Sequence, residues 1–233
     1  KADPYAWKNV LALPLVGSAN DVSNQINNGS TTKTYTANGN AAASSAQSNF
    51  YGGSYYFDGD ATTYLSSTTS ETLGTGDWTL EFWYKHTRTA DTSASSGVYM
   101  SGNGTDIIVT LNTWGSEGFV EALYTGDSQS GAFSSKYSGT STLAPHVWNH
   151  IVITRTSGDY NAFINGILST YSSRANDTVD YNLWKSIGAR PDRGANITGY
   201  LQDIRTYKGV AKYTSNFVVP ATSPDILPDT PSG

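Results

Sequence analysis

The stretch TLEFWYKH, Thr79 to His86, alternates apolar and polar side chains with a period of two. In a β-strand, successive side chains point to opposite faces of the sheet. One face would carry the apolar side chains Leu80, Phe82 and Tyr84. The other face would carry Glu81, Trp83 and Lys85. A strand with one buried face and one mixed face is therefore predicted here.

The same alternation recurs on both sides of this stretch, and no run of a dozen residues keeps a helical period. Strands are predicted in VLALPLVG, SYYFDGDATTYLSS, GVYMS, DIIVTLNTW, GFVEALYTG, VWNHIVITRT, DYNAFINGILSTYSS, SIGAR and GYLQDIRTYKG. Asp58-Gly59 and Asn165-Gly166 are turn signals suited to positive φ. The one helical candidate is the short segment after Lys208. The pattern predicts an all-β, two-sheet antiparallel β-sandwich or jelly roll.

The two ends of the chain have distinct features. Pro14 cannot donate a ladder hydrogen bond, so the first strand is predicted to be an edge strand or to carry a bulge. Residues 21–53 are polar and are predicted to form a long loop with one short strand. The domain is predicted to span residues 1–219, and the Pro-rich residues 220–233 to form an extended linker to a neighbouring module. The initial Lys1 suggests a piece of a longer protein.

Composition excludes several classes of function. Only 14% of the 233 residues are charged, the net charge is -5, and no basic stripe is visible, so nucleic acid is not an expected partner. No apolar run reaches about 18 residues, so neither membrane insertion nor a signal peptide is expected. The chain has no cysteine, which excludes disulfides and cysteine metal sites.

Three stretches resemble the laminin-G-like jelly rolls of the concanavalin A-like lectin/glucanase superfamily. They are SYYFDGDATTYL with GDWTLEFWYKH, then VWNHIVITRTSGDYNAFINGI, and finally SIGARPDRGANITGYLQDIRTYKGVAKYTSNF. The phrase KGVAKYTSNF is most similar to versions in structural proteins of marine bacterial viruses. The resemblance implies glycan binding more often than catalysis, and an extracellular or virion-surface location. Val16-Gly17 and Gln202 stand where many relatives have acidic residues, and only Asp203 keeps the acidic character.

An enzymatic role is not expected. Glycoside hydrolysis needs two carboxyl groups about 5–5.5 Å or about 6.5–9.5 Å apart. The closest pair on one strand face, Glu117 and Glu121, would lie about 13 Å apart along the strand. None of the three histidines adjoins a G-x-S-x-G motif.

The resemblance also implies a candidate cofactor, because laminin-G-like domains often bind Ca²⁺ at an edge of the sandwich through oxygen ligands. The calcium ion would be structural or would bridge the domain to its ligand. Asp58 and Asp60 flank a glycine turn. Asp203 would lie on a neighbouring strand if the first and last strands pair. Asp58 and Asp203 could equally serve as a turn former and a strand cap. The loop SGNGTD, residues 101–106, is a second candidate.

Sugar binding usually needs an exposed aromatic ring beside polar groups. Glu81, Trp83 and His150 could line one face of a sheet if their strands are neighbours. Alternatively, Trp83 packs beneath a loop.

The loop aromatics Trp114, Tyr124 and Trp184 are further candidates, with Tyr181 and Arg190 near the last of them. The sequence therefore predicts a non-catalytic, lectin-like module of a larger protein whose ligand is a host-surface glycan or polysaccharide. The alternative is a purely structural domain that acts through protein contacts.

Overall fold

The computed structural model describes residues 3–87, 144–168, 178–189 and 196–219 in full, and the backbone of six short strands between residues 99 and 136. One 3₁₀ helix (Ala6–Lys8) and one α-helix (Ser23–Ile26) accompany the strands. The strands are β1 (Asn9–Leu13), β2 (Thr36–Asn38), β3 (Ala42–Ser44), β4 (Ser54–Asp58), β5 (Tyr64–Ser66), β6 (Trp78–His86), β7 (Tyr99–Ser101), β8 (Ile108–Thr110), β9 (Thr113–Trp114), β10 (Phe119–Val120), β11 (Ala122–Tyr124), β12 (Ser134–Lys136), β13 (Asn149–Thr156), β14 (Asp159–Ile164), β15 (Ile167–Leu168), β16 (Ser186–Ile187) and β17 (Thr198–Lys208).

These strands form an antiparallel sandwich, as predicted. The larger sheet has eight strands in the order β15-β14-β13-β6-β17-β4-β3, with β1 also paired to β17. The smaller sheet has five strands in the order β2-β5-β16-β7-β8, and β9–β10 and β11–β12 form two-stranded ribbons. Among the described residues, no helix is long and apolar enough to cross a membrane.

Strand β17 organises the larger sheet. One of its edges pairs with β6 along most of its length, and the other edge is shared by β4 and β1. A bulge between Gln202 and Arg205 marks the point where the partner changes, and Asp203 adopts a φ of 51° there. The Asp203 N–H donates to the carbonyl of Pro14, just beyond the end of β1. Within the described residues β1 pairs with β17 alone, and its register shifts between Asn9 and Leu11, so both the edge position and the irregularity predicted for this strand are found.

The core lies between the two sheets. The inner face of the larger sheet buries the alternate side chains of β6 together with those of β13, and Leu65 and Ile187 face them from the smaller sheet. Trp78 meets Trp184 and Tyr160 edge to face, at ring-centroid distances of 6.0 Å and 5.9 Å. Aromatic rings of this size bury a large apolar area, so the core can stabilise the fold without disulfide bonds.

Two segments cover part of the outer face of the larger sheet. The strap, residues 209–219, crosses β6, β13 and β14. It is held by the Thr79 hydroxyl, which donates to the Val210 carbonyl at 2.8 Å and accepts from the Lys212 N–H at 2.9 Å. At its far end, the Phe217 N–H donates to the Gly166 carbonyl at 2.9 Å.

The cover loop, residues 47–53, lies on the same face over β17. The Gln202 amide fastens this loop: its Oε1 accepts from the N–H groups of Asn49 and Phe50 at 3.0 and 2.9 Å, and its Nε2 donates to the carbonyls of Phe50 and Gly53. Gln202 itself is completely buried. An amide satisfies two donors and two acceptors of the loop at once, which a carboxylate could not do.

Several local predictions have clear outcomes. Asn165 and Gly166 both have positive φ and join β14 to β15, so the predicted hairpin is confirmed. The predicted turn at Asp58-Gly59 is also found, with a φ of 86° at Gly59, and it leads from β4 in the larger sheet to β5 in the smaller sheet. The predicted helix after Lys208 is wrong: this segment is the strap, which packs without regular structure, whereas the short helix lies within the predicted loop.

Candidate ligand-binding surface

Glu81, Trp83 and His150 are neighbours on the outer face, as the sequence predicted for adjacent strands. His150 is directly opposite Trp83 in the β6–β13 ladder, and Glu81 is opposite Val152. The rings of Trp83 and His150 have centroids 5.0 Å apart. The strands that carry the three residues are therefore neighbours, as a shared site requires. Whether the three side chains can contact a ligand depends on their exposure to solvent.

The strap and the cover loop bury all three side chains. Trp83 is 8% exposed and packs edge to face on Phe50 at 5.4 Å, while His150 is 5% exposed and meets Phe217 at 5.9 Å. Glu81 Oε1 accepts from Lys212 Nζ at 3.0 Å. The alternative interpretation, in which Trp83 packs beneath a loop, is the one found. In this arrangement the three residues stabilise the covering segments and cannot reach a sugar.

Burial and charge act together on this cluster. Burial by itself would raise the pKa of Glu81, but the Lys212 ammonium, helped by the Arg205 guanidinium, holds it below its usual value. Burial lowers the pKa of His150 to about 4, so its imidazole is neutral near pH 7. Burial also opposes the charge on Lys212, yet Glu81 raises the pKa of that ammonium. The result is a desolvated ion pair beside a neutral histidine.

The structure does not bring the three predicted metal ligands together. Asp203 is 2% exposed, and its Oδ1 accepts from Arg205 Nε at 2.9 Å. Burial raises the pKa of Asp203 to about 6 against the attraction of Arg205. Although β4 and β17 do pair, Asp58 is opposite Thr198, which places Asp203 about 16 Å further along the strand. The three-residue grouping is therefore wrong, because strand register separates its members.

Asp58 and Asp60 keep the turn chemistry that the sequence allowed. Asp58 Oδ1 accepts from the Asp60 N–H at 2.9 Å, and Asp60 Oδ1 accepts from the Thr62 N–H and hydroxyl, both at 2.8 Å. Asn40 Nδ2 donates to Asp58 Oδ2 at 2.6 Å. Among the residues with described side chains, no cluster of three metal-ligating side chains occurs.

Trp184 corrects another prediction. Its ring was expected to be exposed in a loop, but it is completely buried and its Nε1–H donates to Thr206 Oγ1 at 2.8 Å. Tyr181, three residues before it in the chain, is 3% exposed. The polar neighbours of Trp184 in the chain disguise a segment that packs into the core, so this ring cannot stack on a ligand.

The remaining sequence candidates fall where little is described. Trp114 pairs with Phe119 in the β9–β10 ribbon, and Tyr124 pairs with Ser134 in β11–β12, but the side chains of these residues are outside the described set. Arg190 and Glu117 are also outside the described residues, as is the candidate loop 101–106 beyond Ser101, which ends β7.

The described residues leave one end of the outer face uncovered. In the registers of β6, β17 and β4, Tyr200 is opposite both Lys85 and Tyr56. The rings of Tyr56 and Tyr200 are half-buried and in contact, with centroids 5.3 Å apart and planes tilted by 46°. Asp58, opposite Thr198, completes what we call the tyrosine surface: Tyr56, Asp58, Lys85, Thr198 and Tyr200.

Polar groups border the two rings. Gln47 Oε1 accepts from Lys85 Nζ on one side, and the Asn40 amide holds Asp58 on the other. Within the described residues, the hydroxyls of Tyr56 and Tyr200 take part in no hydrogen bond between side chains or with the backbone. This combination of flat rings, amides, a carboxylate and an ammonium suits a polyhydroxylated ligand.

The tyrosine surface was not predicted from the sequence. A usable signal existed, because Tyr56 alternates with the inward-pointing Tyr55 and Phe57, and Tyr200 precedes the inward-pointing Leu201. An outward-facing tyrosine on each of two strands does not predict a binding surface unless the two strands are known to be neighbours. Their adjacency depends on the register between β4 and β17, which joins residues more than 140 positions apart.

A pocket of about 300 Å³ lies beyond the end of β1. Its lining is largely apolar and includes Leu15, Val16 and Tyr51. No carboxylate is among the described residues that line the pocket. Its chemistry therefore differs from that of the tyrosine surface.

The fold defines a two-sheet antiparallel sandwich with one largely covered outer face and an open aromatic end. The chain belongs to the concanavalin A-like lectin/glucanases superfamily, whose laminin-G-type family model matches residues 57–212. A comparison with curated proteins found no match.

Solved structures share the fold at low sequence identity. Domain 4 of AbnA, an extracellular GH43 arabinanase from Geobacillus stearothermophilus solved with arabinotriose, has a TM-score of 0.57 and 15% identity, covering 87% of this chain and 93% of that one. The binding domain of botulinum neurotoxin DC, solved with rat synaptotagmin II, has a TM-score of 0.59 and 12% identity over 89% of this chain. This chain spans half of that binding domain. The cellulose-induced protein Cip1 has a TM-score of 0.52 and 11% identity, over 76% of this chain and 91% of its own.

Proposed function

We propose that this domain is a non-catalytic carbohydrate-binding module that holds glycan on the tyrosine surface. The observation that carries the proposal is the pair of contacting, half-buried rings of Tyr56 and Tyr200 on the open end of the outer face. Lys85 and Asp58 flank the rings and offer a donor and an acceptor for sugar hydroxyls. Family membership and the arabinotriose in a domain of the same fold support this choice of ligand class.

The host-surface location of the glycan and a place in a virion or extracellular protein are parts of the same proposal. They rest on the resemblance of KGVAKYTSNF to structural proteins of bacterial viruses. Calcium is proposed as an accessory ligand at Asp58 and Asp60, whose carboxylates are partly or fully exposed at the edge of the tyrosine surface.

A glycan array tests the proposal, run with calcium and again with a chelator. The wild type is expected to show saturable binding, and Tyr200→Ala is expected to weaken it by at least about tenfold, equivalent to about 1.4 kcal/mol. Loss of glycan binding on chelation, together with loss of binding in Asp60→Asn when calcium is present, would assign the metal to this site.

Trp7→Ala is the matched control, because Trp7 is a 66% exposed aromatic ring outside the tyrosine surface. Its glycan affinity should equal that of the wild type. Binding that survives Tyr200→Ala and Tyr56→Ala would refute the assigned site. A folded wild type that binds no glycan would favour the purely structural role, and release of sugar from any polysaccharide would contradict both.

A further inference from the structure

A lysine and two carboxylates from three distant segments meet beneath the strap. Lys212 Nζ lies 3.0 Å from Glu81 Oε1 and 3.5 Å from Asp3 Oδ2. Lys212 belongs to the strap, Glu81 to β6, and Asp3 to the segment before the 3₁₀ helix. All three side chains are more than nine-tenths buried, with exposures of 7%, 9% and 7%.

The surroundings of this triad are largely aromatic. The Lys212 ammonium lies 4.1 Å from the ring centroid of Tyr207 and 5.5 Å from that of Tyr213. The Tyr207 hydroxyl donates to Asp3 Oδ2, and Arg205 Nη1 lies 3.9 Å from the same oxygen. Burying ions costs several kcal/mol each, and a reaction that removes two of the charges relieves that cost.

We propose that Lys212 and Asp3 condense to form an intramolecular isopeptide bond, with Glu81 as the proton-transfer group. The Lys212 amine attacks Cγ of Asp3, forming the C–N bond, and one Asp3 carboxyl oxygen leaves as water. Both protons of that water come from the ammonium, which becomes an amide N–H, and Glu81 transfers them. No oxidant, reductant or other reagent takes part.

The geometry suits each part of this step. Lys212 Nζ lies 3.5 Å from Asp3 Oδ2, an oxygen bonded to the carbon that it would attack, so the fold holds the amine and the carboxyl group side by side. Glu81 is within hydrogen-bonding reach of the nitrogen that must lose protons. Tyr207 and Arg205 face the carboxyl oxygen on which negative charge increases during attack. The covering strap excludes the water that would reverse the reaction.

The bond would join residue 3 to residue 212 and so close almost the whole domain into one covalent ring. The chain contains no cysteine, so no disulfide can serve that purpose. The cross-link would keep the strap on the sheet when force or heat separates strands. This inference is independent of glycan binding.

Intact mass spectrometry of the denatured full chain tests the proposal. The wild type is expected to be lighter than its sequence mass by one water molecule. Peptide mapping is expected to recover the Asp3 peptide joined to the Lys212 peptide. A wild type with its full sequence mass after folding and prolonged incubation would overturn the proposal, as would a water loss that maps to ring closure at Asp58-Gly59.

Matched variants separate chemistry from folding. Lys212→Arg keeps a cation but supplies no reactive amine, so it should show the full sequence mass, and Glu81→Gln should do so while remaining folded by near-UV circular dichroism. Lys33→Met is the control: Lys33 is another buried lysine, 2.7 Å from Glu71, but it lies outside the triad. That variant should retain the loss of one water, and its disappearance there would contradict the assignment.

Discussion

Trp184→Ala is expected to destabilise the domain severely. The ring is fully buried, contacts Trp78 and donates a hydrogen bond to Thr206. Truncating a buried Trp to Ala costs about 3–5 kcal/mol. The lost hydrogen bond adds about 1 kcal/mol. The sum, about 4–6 kcal/mol, is a large part of the 5–15 kcal/mol that holds a typical domain folded.

Urea unfolding followed by tryptophan fluorescence measures this loss as a change in the free energy of unfolding. In a thermal melt, a chain of this size should lose about 10–20 °C in Tm, at about 2–4 °C per kcal/mol. Trp184→Phe keeps much of the ring volume and should cost less than the alanine variant. Trp7→Ala, at a 66% exposed ring, should change the stability by no more than about 0.5 kcal/mol.

A loss below about 1 kcal/mol in Trp184→Ala would refute the placement of this ring in the core. The result also bears on binding experiments. If Trp184→Ala lost glycan binding together with its fold, the loss would say nothing about a binding site at Trp184. Variants at the tyrosine surface avoid this ambiguity, because Tyr200 is only half-buried.

Three further predictions test the covering segments. Burial lowers the pKa of His150 from 6.5 to about 4, so as the pH falls the imidazole is protonated in the unfolded chain before it is protonated in the folded one. Between pH 6.5 and pH 4 the free energy of unfolding of the wild type should therefore fall by about 3 kcal/mol relative to that of His150→Phe, measured by urea unfolding at each pH. The pKa of Asp203 is raised to about 6, so its protonation stabilises the folded state as the pH falls from 6 to the ordinary value of 3.8. This effect is the same in the wild type and in His150→Phe, and it cancels when the two are compared. Equal dependence of the unfolding free energy on pH in the two proteins would contradict the prediction for His150. Gly166→Ala should lower the free energy of unfolding by at least about 2 kcal/mol, because φ is +80° and the new Cβ would clash with the Phe217 carbonyl oxygen. Amide hydrogen exchange at Phe217 should accelerate in this variant, and unchanged exchange would argue against the contact. Gln202→Leu should release the cover loop at a cost of about 3 kcal/mol, since it leaves buried loop groups unpaired; the readout is urea unfolding, and a loss under about 1 kcal/mol would show that the loop is held by other contacts.

The fold class was readable from local sequence because alternation is a property of each strand by itself. The pattern around Leu80, Phe82 and Tyr84 correctly placed these side chains in the core. The Asn165-Gly166 signal worked for the same reason, since two consecutive residues determine that turn. The adjacency of Glu81, Trp83 and His150 also followed from strand patterns once the two strands were paired.

The candidate site was less predictable, because exposure depends on what covers a strand. Polar neighbours suggested that Trp184 was exposed, yet its segment packs on Trp78 in the core. Asp203 shared the acidic character of Asp58, but register along β17 separates them. Tyr56 and Tyr200 form a surface only because β4 and β17 are neighbours in the larger sheet.

The sequence by itself determined the antiparallel sandwich, the inward and outward sides of its strands and the positions of its tight turns. These features depend on the chemistry of residues close together in the chain. Only the tertiary structure decided which outward side chains meet solvent. Lys212 reaches Glu81 across 131 positions and holds the strap on the larger sheet, and Phe50 of the cover loop packs on Trp83, whereas no described segment closes over Tyr200. Contacts at such separations depend on loop paths and strand register, which local periodicity does not encode.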